Sequence, residues 1–299
     1  MKIEVLFPEF ANLFGDCWNW KYLSRCMPEA ELIETGYNDE PRFASEKVDM
    51  IIMGAMTEHG QELAIKKLMP YRDRLRELID GGVVFLMTAN AGEVFCEYIE
   101  NEDGSRIAGL GLVTLHAKRD MMHRFNSTQL CAFEDMELVG FKAEFSQLYG
   151  DNSDFYFAEA KYGIGINKKS KLEGVRIKNY FATSMVGPFL MMNPPFVRYL
   201  MALLGVKEPK LRFEETNMAA YERRRADIIR MMGENELRSK LISVRLPSSY
   251  PPRLKALGDN SISIQFQTVA FGTSYVTNVA EKKPYRRYDN IVTMCWRAE

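Results

Sequence analysis

The segment GGVVFLMTANAGEVFCEY, residues 81–98, decides the fold of this chain. It opens on a two-glycine turn signal and continues through a short apolar run at residues 83–87. Such a run between turn residues is typical of a strand buried on both faces. After a turn at Thr88, the segment from Gly92 predicts a helix. Strand, tight turn and helix together form the repeating unit of a parallel sheet.

The residues before this segment show the same pattern. Short apolar runs at residues 3–7, 31–34 and 50–53 predict strands, and amphipathic periodicity at residues 18–26 and 61–80 predicts helices. Strands separated by helices of this length predict a parallel sheet with helices on both faces. The fold class is therefore expected to be α/β.

The pattern changes after the turn signal Asp103-Gly104. Strands without intervening helices are predicted at residues 110–115, 137–141, 155–160 and 175–180. The central sheet is therefore expected to be mixed and partly antiparallel. All of its strands are expected to pair into a single sheet within one compact domain over residues 1–206.

The C-terminal third is predicted to form two additions. A helix at residues 195–204 closes the first domain, and periodicity at residues 215–240 predicts a helical extension over residues 207–245. The run LPSSYPP at residues 246–252 is typical of a linker. Strands are then predicted at residues 261–267, 274–279 and 290–296. They predict a small β-rich appendage over residues 246–299.

Composition limits the classes of function. The 299 residues include 39 Lys and Arg against 40 Asp and Glu, so no net field attracts nucleic acid or an anionic membrane. Five scattered cysteines without a C-x-x-C pair suggest neither a disulfide framework nor a metal site, and they favour a reducing, cytoplasmic compartment. We expect no signal peptide, no membrane span, no metal and no cofactor.

Five segments carry a family resemblance. They are residues 8–25 (PEFANLFGDCWNWKYLSR), 48–70 (VDMIIMGAMTEHGQELAIKKLMP), 81–98, 103–115 (DGSRIAGLGLVTL) and 172–196 (LEGVRIKNYFATSMVGPFLMMNPPF). In this order they resemble the class I glutamine amidotransferases of the cobyric acid synthase type, in particular the glutaminase subunits of lipid II isoglutaminyl synthase. The resemblance covers residues 1–206 and implies a flavodoxin-like α/β domain.

Residues that shape the family's scaffold are retained. The matching residues are Asn12, Leu13, Gly15, Asp16, Asn19, Gly54, Gln61, Glu173, Gly174, Asn179, Thr183, Gly187, Pro188, Asn193 and Pro194. The residues that carry the family's chemistry are not retained. Ala89 stands at the position of the family's cysteine and Val186 at that of its histidine.

The chemistry of the family explains why these two replacements matter. A thiolate on a tight strand-to-helix turn attacks the amide of glutamine, backbone N–H groups hold the oxyanion, and an imidazole moves the proton. Ala89 has no heteroatom and Val186 has no titratable group. The resemblance therefore implies a glutaminase that has lost its reaction.

Further replacements surround these positions. Ala55 and Met56 stand at two glycines of the family's Gly-Gly-Gly turn. Lys142, Ala143 and Glu144 replace its Glu-Asn-His. The candidate pocket comprises Gly54, Ala55, Thr88, Ala89, Asn90, Glu93, Arg124, Glu144 and Val186.

Several residues near the turn have two interpretations. Asn90 could tolerate the strained turn while Glu93 caps the following helix, or the two could form a new polar site together with His59. Arg124 lies where the family has an arginine that holds the carboxylate of glutamine, although an exposed arginine is the simpler interpretation. Cys96, seven residues beyond Ala89 on the predicted helix, would lie about 10 Å farther along the axis and could not act as the nucleophile.

These observations predict a non-catalytic amidotransferase-like subunit. The resemblance implies a Mur-ligase-type synthetase as its protein partner, and a small-molecule ligand is the other candidate. One alternative is an active glutamine amidotransferase whose nucleophile lies elsewhere in the sequence. Another is different chemistry in the inherited pocket.

Overall fold

The computed structural model describes the backbone of residues 1–243, 253–257, 261–270, 273–282 and 293–295, and the side chains of residues 1–235. The chain divides into two compact units, Met1–Asn235 and Glu236–Glu299. The predicted linker at residues 246–252 lies outside the described residues.

Strands and helices alternate in the early part of the first unit, and strands dominate its middle. Its strands are β1 (Lys2–Leu6), β2 (Glu31–Thr35), β3 (Met50–Met53), β4 (Val84–Thr88), β5 (Cys96–Glu100), β6 (Arg106–Ala108), β7 (Val113–Arg119), β8 (Phe125–Phe133), β9 (Met136–Glu144), β10 (Ser146–Tyr149), β11 (Ala158–Tyr162), β12 (Leu172–Glu173), β13 (Val175–Ile177) and β14 (Tyr180–Thr183). The α-helices that begin in it are α1 (Cys17–Cys26), α2 (Glu58–Leu68), α3 (Arg72–Asp80), α4 (Phe189–Met192), α5 (Pro194–Leu203) and α6 (Glu214–Ser243).

The central sheet has six strands in the order β13-β14-β4-β3-β1-β2. Five of them are parallel, and β13 pairs antiparallel with β14 at one edge. The prediction of a mixed α/β fold is therefore confirmed.

Helices cover both faces of this sheet, which explains why its inner strand β3 is entirely apolar. Ile51 and Met53 of β3 belong to a core cluster that includes side chains of α2 and α3. Met50 and Ile52, which point the other way, belong to a second cluster with side chains of α1, α4 and α5. Successive side chains of a strand point to opposite faces, so a strand buried on both sides needs an uninterrupted apolar run.

The prediction of a single sheet is wrong. Residues 89–179, which connect β4 to β14, contain β13 and all eight strands of two further four-stranded sheets, with the orders β10-β7-β5-β6 and β12-β11-β8-β9. The longest pairing among them joins β8 and β9 over nine residue pairs across a tight turn. Neighbouring antiparallel strands pair locally at little entropic cost, so they need not join the parallel sheet.

The prediction of a helix from Gly92 is also wrong. The chain instead makes a 3-10 segment, Ala89–Phe95, and continues directly into β5. All of residues 91–96 are buried, and β5 lies between β6 and β7 in its sheet. A fully buried segment of this kind satisfies its backbone by pairing with other strands, so tertiary context overrides the helical pattern.

The predicted helix at residues 61–80 is two helices. Helix α2 ends at Leu68, a 3-10 turn follows at Met69–Tyr71, and α3 begins at Arg72. Pro70 lies in this turn, where it lacks the N–H that a continuous helix would need. The helix predicted at residues 215–240 lies within α6.

The second unit contains a four-stranded antiparallel sheet in the order β15-β16-β17-β18. Its strands are β15 (Arg253–Leu257), β16 (Ser261–Ala270), β17 (Thr273–Lys282) and β18 (Thr293–Cys295). The last three overlap the predicted strands, whereas β15 was not predicted. No helix within the described residues is long and apolar enough to cross a membrane.

Candidate functional site

The candidate site lies at the carboxyl end of β4. Thr88 ends the strand with an extended backbone, and Ala89 follows with a φ of 51°, in the left-handed region. Non-glycine residues rarely adopt this conformation because Cβ approaches the backbone, and strain of this kind concentrates at functional sites. Ala89 therefore occupies a sharp elbow at the end of β4.

A second loop packs against the elbow from the end of β3. The amide of Asn90 clamps Met56 from both sides, since Met56 N donates to Asn90 Oδ1 over 3.1 Å and Asn90 Nδ2 donates to Met56 O over 2.9 Å. Ala55 N donates to Asp16 Oδ2 over 2.6 Å. Both backbone N–H groups that follow Gly54 are thus bound by side chains of this chain.

The carboxylate of Asp16 connects these two loops through hydrogen bonds. It also accepts hydrogen bonds from Thr88 Oγ1 (2.6 Å) and Asn19 Nδ2 (3.0 Å). A Cβ on Gly187 would collide with Asp16, so this close approach requires glycine. Burial raises the pKa of Asp16 to about 6, although the hydrogen bonds from Thr88, Ala55 and Asn19 oppose the rise.

A small cavity of about 10 Å³ adjoins Ala89. Its walls are formed by Ala89, Gly92, Glu93, Cys96, Leu148, Gly174, Val175, Ala182, Thr183 and Ser184. This volume is comparable to the space that one water molecule occupies. None of the chain's three histidines lines it.

Glu93 contributes the cavity's only carboxylate. It is 6% exposed, and it accepts hydrogen bonds from Gln61 Nε2 (2.8 Å) and from the hydroxyl of Ser146. Burial raises the pKa of Glu93, against the effect of the hydrogen bonds from Ser146 and Gln61. The interpretation of Glu93 as a cap of an α-helix is wrong, because Glu93 lies inside the 3-10 segment and its carboxylate accepts from Gln61 and Ser146.

Two fully buried charges lie in the same part of the unit. Lys142 Nζ is 3.2 Å from Glu173 Oε1, with both side chains 0% exposed, and it also donates to Gly165 O over 2.7 Å. Glu173 further accepts from Thr183 Oγ1 (3.2 Å) and Ser184 N (3.0 Å), two residues that line the cavity. In the sequence, Lys142 was identified only as a departure from the family's pattern. No local pattern predicted that its side chain would be buried.

Glu144 lies in the electrostatic field of these groups. Its Oε1 is buried without a hydrogen-bond partner among the described residues. Burial raises the pKa of Glu144 to about 7. The positive charge of Lys142 opposes this rise, whereas the negative charges of Glu93 and Glu173 add to it. Glu144 is therefore a partly protonated carboxyl group near neutral pH.

The raised pKa of Glu144 predicts a specific pH dependence. The folded state holds this proton up to about pH 7, whereas an unfolded glutamate loses it near pH 4.3, so this group lowers stability as pH rises between these values. Glu144→Gln resembles the protonated form and does not titrate. We therefore expect the stability of the Glu144→Gln variant, relative to the unmodified protein, to be greater at pH 8 than at pH 5. Urea titration measures both free energies of unfolding. An equal difference at both pH values would contradict this assignment.

The remaining predicted residues Val186, Arg124 and His59 do not line the cavity. Val186 is buried, and its N–H donates to Phe141 O over 2.9 Å. Arg124 is exposed, with its guanidinium carbon 4.6 Å from the ring centre of Phe145. His59 is exposed on α2, so the structure does not bring it to the cavity with Asn90 and Glu93.

A larger surface cavity, about 450 Å³, lies at the carboxyl end of the edge strand β2. Its charged side chains are mostly engaged within the unit. Glu34 accepts from Trp20 Nε1 (3.3 Å), Asp39 accepts from Gly36 N (3.0 Å), and Arg42 pairs with Glu46 (2.8 Å). This cavity shares no lining residue with the cavity at the elbow, and none of its lining residues has a positive φ.

Comparison with known proteins identifies distant relatives. No protein-family model matches the chain. The GatD subunit of the glutamine-hydrolysing lipid II isoglutaminyl synthase of Staphylococcus aureus (strain N315) is 23% identical over 164 residues, which cover 55% of this chain and 67% of that protein. The GatD subunit of Streptococcus pneumoniae (strain ATCC BAA-255 / R6) is 22% identical over 199 residues, covering 64% and 76%. The chain is weakly homologous to GatD.

A solved structure of PurLQS from Thermotoga maritima aligns with 69% of this chain and 99% of its own, at 10% identity and a TM-score of 0.47.

Proposed function

We propose that this chain is a glutamine amidotransferase-like subunit that does not hydrolyse glutamine and that works bound to a Mur-ligase-type synthetase in cell-wall precursor amidation. The homology to GatD supports an amidotransferase-like subunit, because GatD is named as a subunit of a glutamine-hydrolysing synthase. The strand order β2-β1-β3-β4-β14 supports a flavodoxin-like domain, since doubly wound sheets of that type follow the order 2-1-3-4-5.

The elbow at Ala89 carries the proposal. The backbone is strained where a nucleophile would be presented, yet the side chain there is a methyl group. The adjoining cavity is lined by no imidazole, and Ala55 N and Met56 N are already bound to Asp16 and Asn90. Nucleophile and base are thus missing together, and the two loop N–H groups already have acceptors within the chain.

The cysteines do not support the alternative of an active glutaminase. Cys96 lines the cavity, but it is 1% exposed, its thiol contacts Gly92 O at 3.7 Å, and burial raises its pKa well above the usual value. A thiol held in its protonated form is a poor nucleophile. Cys131 is equally buried, and Cys17 and Cys26 lie on α1 outside the cavity lining. The side chain of Cys295 lies outside the described residues.

The alternative of new chemistry in the pocket is no better supported. Both polar atoms of the Asn90 side chain are engaged by Met56, and the carboxylate of Glu93 is occupied by Gln61 and Ser146. His59 is exposed elsewhere on α2. No base with a free acceptor therefore faces the cavity among these residues.

A glutaminase assay with purified protein tests the proposal. We expect no glutamate release above the uncatalysed rate, with or without the Mur-ligase-type synthetase of the same genome, while the GatD subunit of Staphylococcus aureus serves as the active control. Size-exclusion chromatography of the mixed proteins should show a complex. Turnover of about 1 per second or more by the unmodified chain would overturn the loss of activity, because ordinary enzymes work in that range.

A further inference from the structure

Large apolar side chains are exposed on two segments that are about a hundred residues apart in sequence. In the first, Leu13, Phe14 and Trp18 are 37%, 44% and 39% exposed. In the second, Met121 and Met122 are 40% and 79% exposed. Single exposed apolar residues are ordinary, but a cluster of them usually marks an interaction site.

Arg124 brings the two segments together. Its guanidinium carbon lies 6.0 Å from the ring centre of Phe14 and 4.6 Å from that of Phe145. Arg124 follows Met122 by two residues, so the second segment passes close to Phe14 of the first. We call Leu13, Phe14, Trp18, Met121, Met122 and Arg124 the apolar rim.

The first segment of the apolar rim is held in place by the candidate site. Leu13 N donates to Ala55 O over 3.0 Å, and Asp16 binds both Ala55 and Thr88. Phe14 has a φ of 59°, a conformation that bulky residues avoid. The fold thus holds an aromatic side chain at the surface in an unfavourable backbone conformation. Such a conformation is expected where the exposed side chain has a role in binding.

Composition and charge indicate the kind of partner. Trp, Phe, Met and Arg are the residues enriched at protein interfaces. Arg124 forms no ion pair within residues 1–235, nor does Arg25, which lies 5.1 Å from the ring centre of Trp18. The nearby carboxylate of Asp120 is hydrogen-bonded to His123 Nδ1 at 2.9 Å. The unpaired guanidinium groups therefore suit a partner with carboxylates around an apolar centre.

We propose that the apolar rim is the surface that docks the synthetase subunit, through a region of that protein with an apolar centre bordered by Asp or Glu. This inference rests on the proposed function. It places the partner directly over the loops of the candidate site, so that the elbow would lie beside the interface. A folded protein partner is favoured over a lipid surface because 39 Lys and Arg against 40 Asp and Glu leave no net positive charge to attract an anionic membrane.

Binding measurements with matched variants test this surface. The probe is the purified Mur-ligase-type synthetase of the same genome, titrated by calorimetry. We expect Met122→Glu and Trp18→Ala each to raise the dissociation constant about tenfold or more, as loss of an anchor residue does. Arg124→Glu should slow association and reduce its salt dependence. Ile229→Glu and Arg224→Glu, exposed residues of α6 outside the rim, should change binding less than twofold.

The outcomes separate the two proposals. If the unmodified chain binds and the rim variants bind equally well, with unchanged melting temperatures, the rim is refuted and the proposed function stands. If the unmodified chain does not bind the synthetase, both fail. Binding of the unmodified chain to anionic phospholipid vesicles, lost in Met122→Glu and without synthetase binding, would overturn the choice of a protein partner.

Discussion

We expect the double variant Ala89→Cys, Val186→His to show no glutaminase activity above background, although it restores the thiol and the imidazole. The reason lies in the loop after β3. Ala55 N donates to Asp16 over 2.6 Å and Met56 N to Asn90 over 3.1 Å. Neither N–H is free to hold an oxyanion, and each missing donor costs roughly a hundred- to a thousandfold in rate.

The space beside the elbow adds a second obstacle. The cavity next to Ala89 has a volume of about 10 Å³, enough for about one water molecule. Glutamine has ten heavy atoms and would need the surrounding side chains to move. Replacing Ala89 by the larger cysteine reduces this space further.

A third substitution sharpens the test. Asn90→Gly removes the acceptor that holds Met56 N. We expect any gain in glutamate release to require this change in addition to the other two, and Ala89→Ser, Val186→His, Asn90→Gly to serve as the thiol-free control. Activity of about 1 per second in the double variant alone would show that the loop N–H groups do not limit the reaction.

We expect Lys142→Met to cost about 3–5 kcal/mol of the free energy of unfolding, the largest effect of any single substitution considered for this protein. Lys142 and Glu173 are both 0% exposed and lie 3.2 Å apart. Removal of the lysine leaves the Glu173 carboxylate buried without its cation. Its remaining donors, Thr183 Oγ1 and Ser184 N, are neutral and compensate only in part.

Two further variants distinguish lost charge pairing from lost packing. Lys142→Met combined with Glu173→Gln removes both charges, so we expect it to recover a large part of the loss. Lys161→Met is the surface control, because Lys161 pairs with Glu137 at 2.7 Å while 48% exposed, and it should cost less than about 1 kcal/mol. Urea unfolding of all four proteins measures these differences. A cost below about 1 kcal/mol for Lys142→Met would contradict the importance of this pair.

The local sequence pattern was sufficient to predict the strands and helices of the parallel sheet. The strand predicted at residues 50–53 has the same bounds as β3, and the helices predicted at residues 18–26 and 195–204 differ from α1 and α5 by one residue at each displaced end. These elements are buried against helices or are amphipathic, so their apolar spacing is visible in a short window of sequence. The assignment of Ala89 to the nucleophile position stays a prediction, which its positive φ supports.

The sequence by itself thus determined the α/β class, most of the parallel strands and the absence of a thiol and an imidazole at the aligned positions. Only the tertiary structure decided that the chain after the elbow is a strand, that residues 89–179 build separate sheets, and that Lys142 is buried against Glu173. The physical reason is the range of the interactions. Apolar periodicity is a property of neighbouring residues, whereas burial of a charge, the donors bound by Asp16 and the exposure of Phe14 depend on segments that meet only in the folded chain.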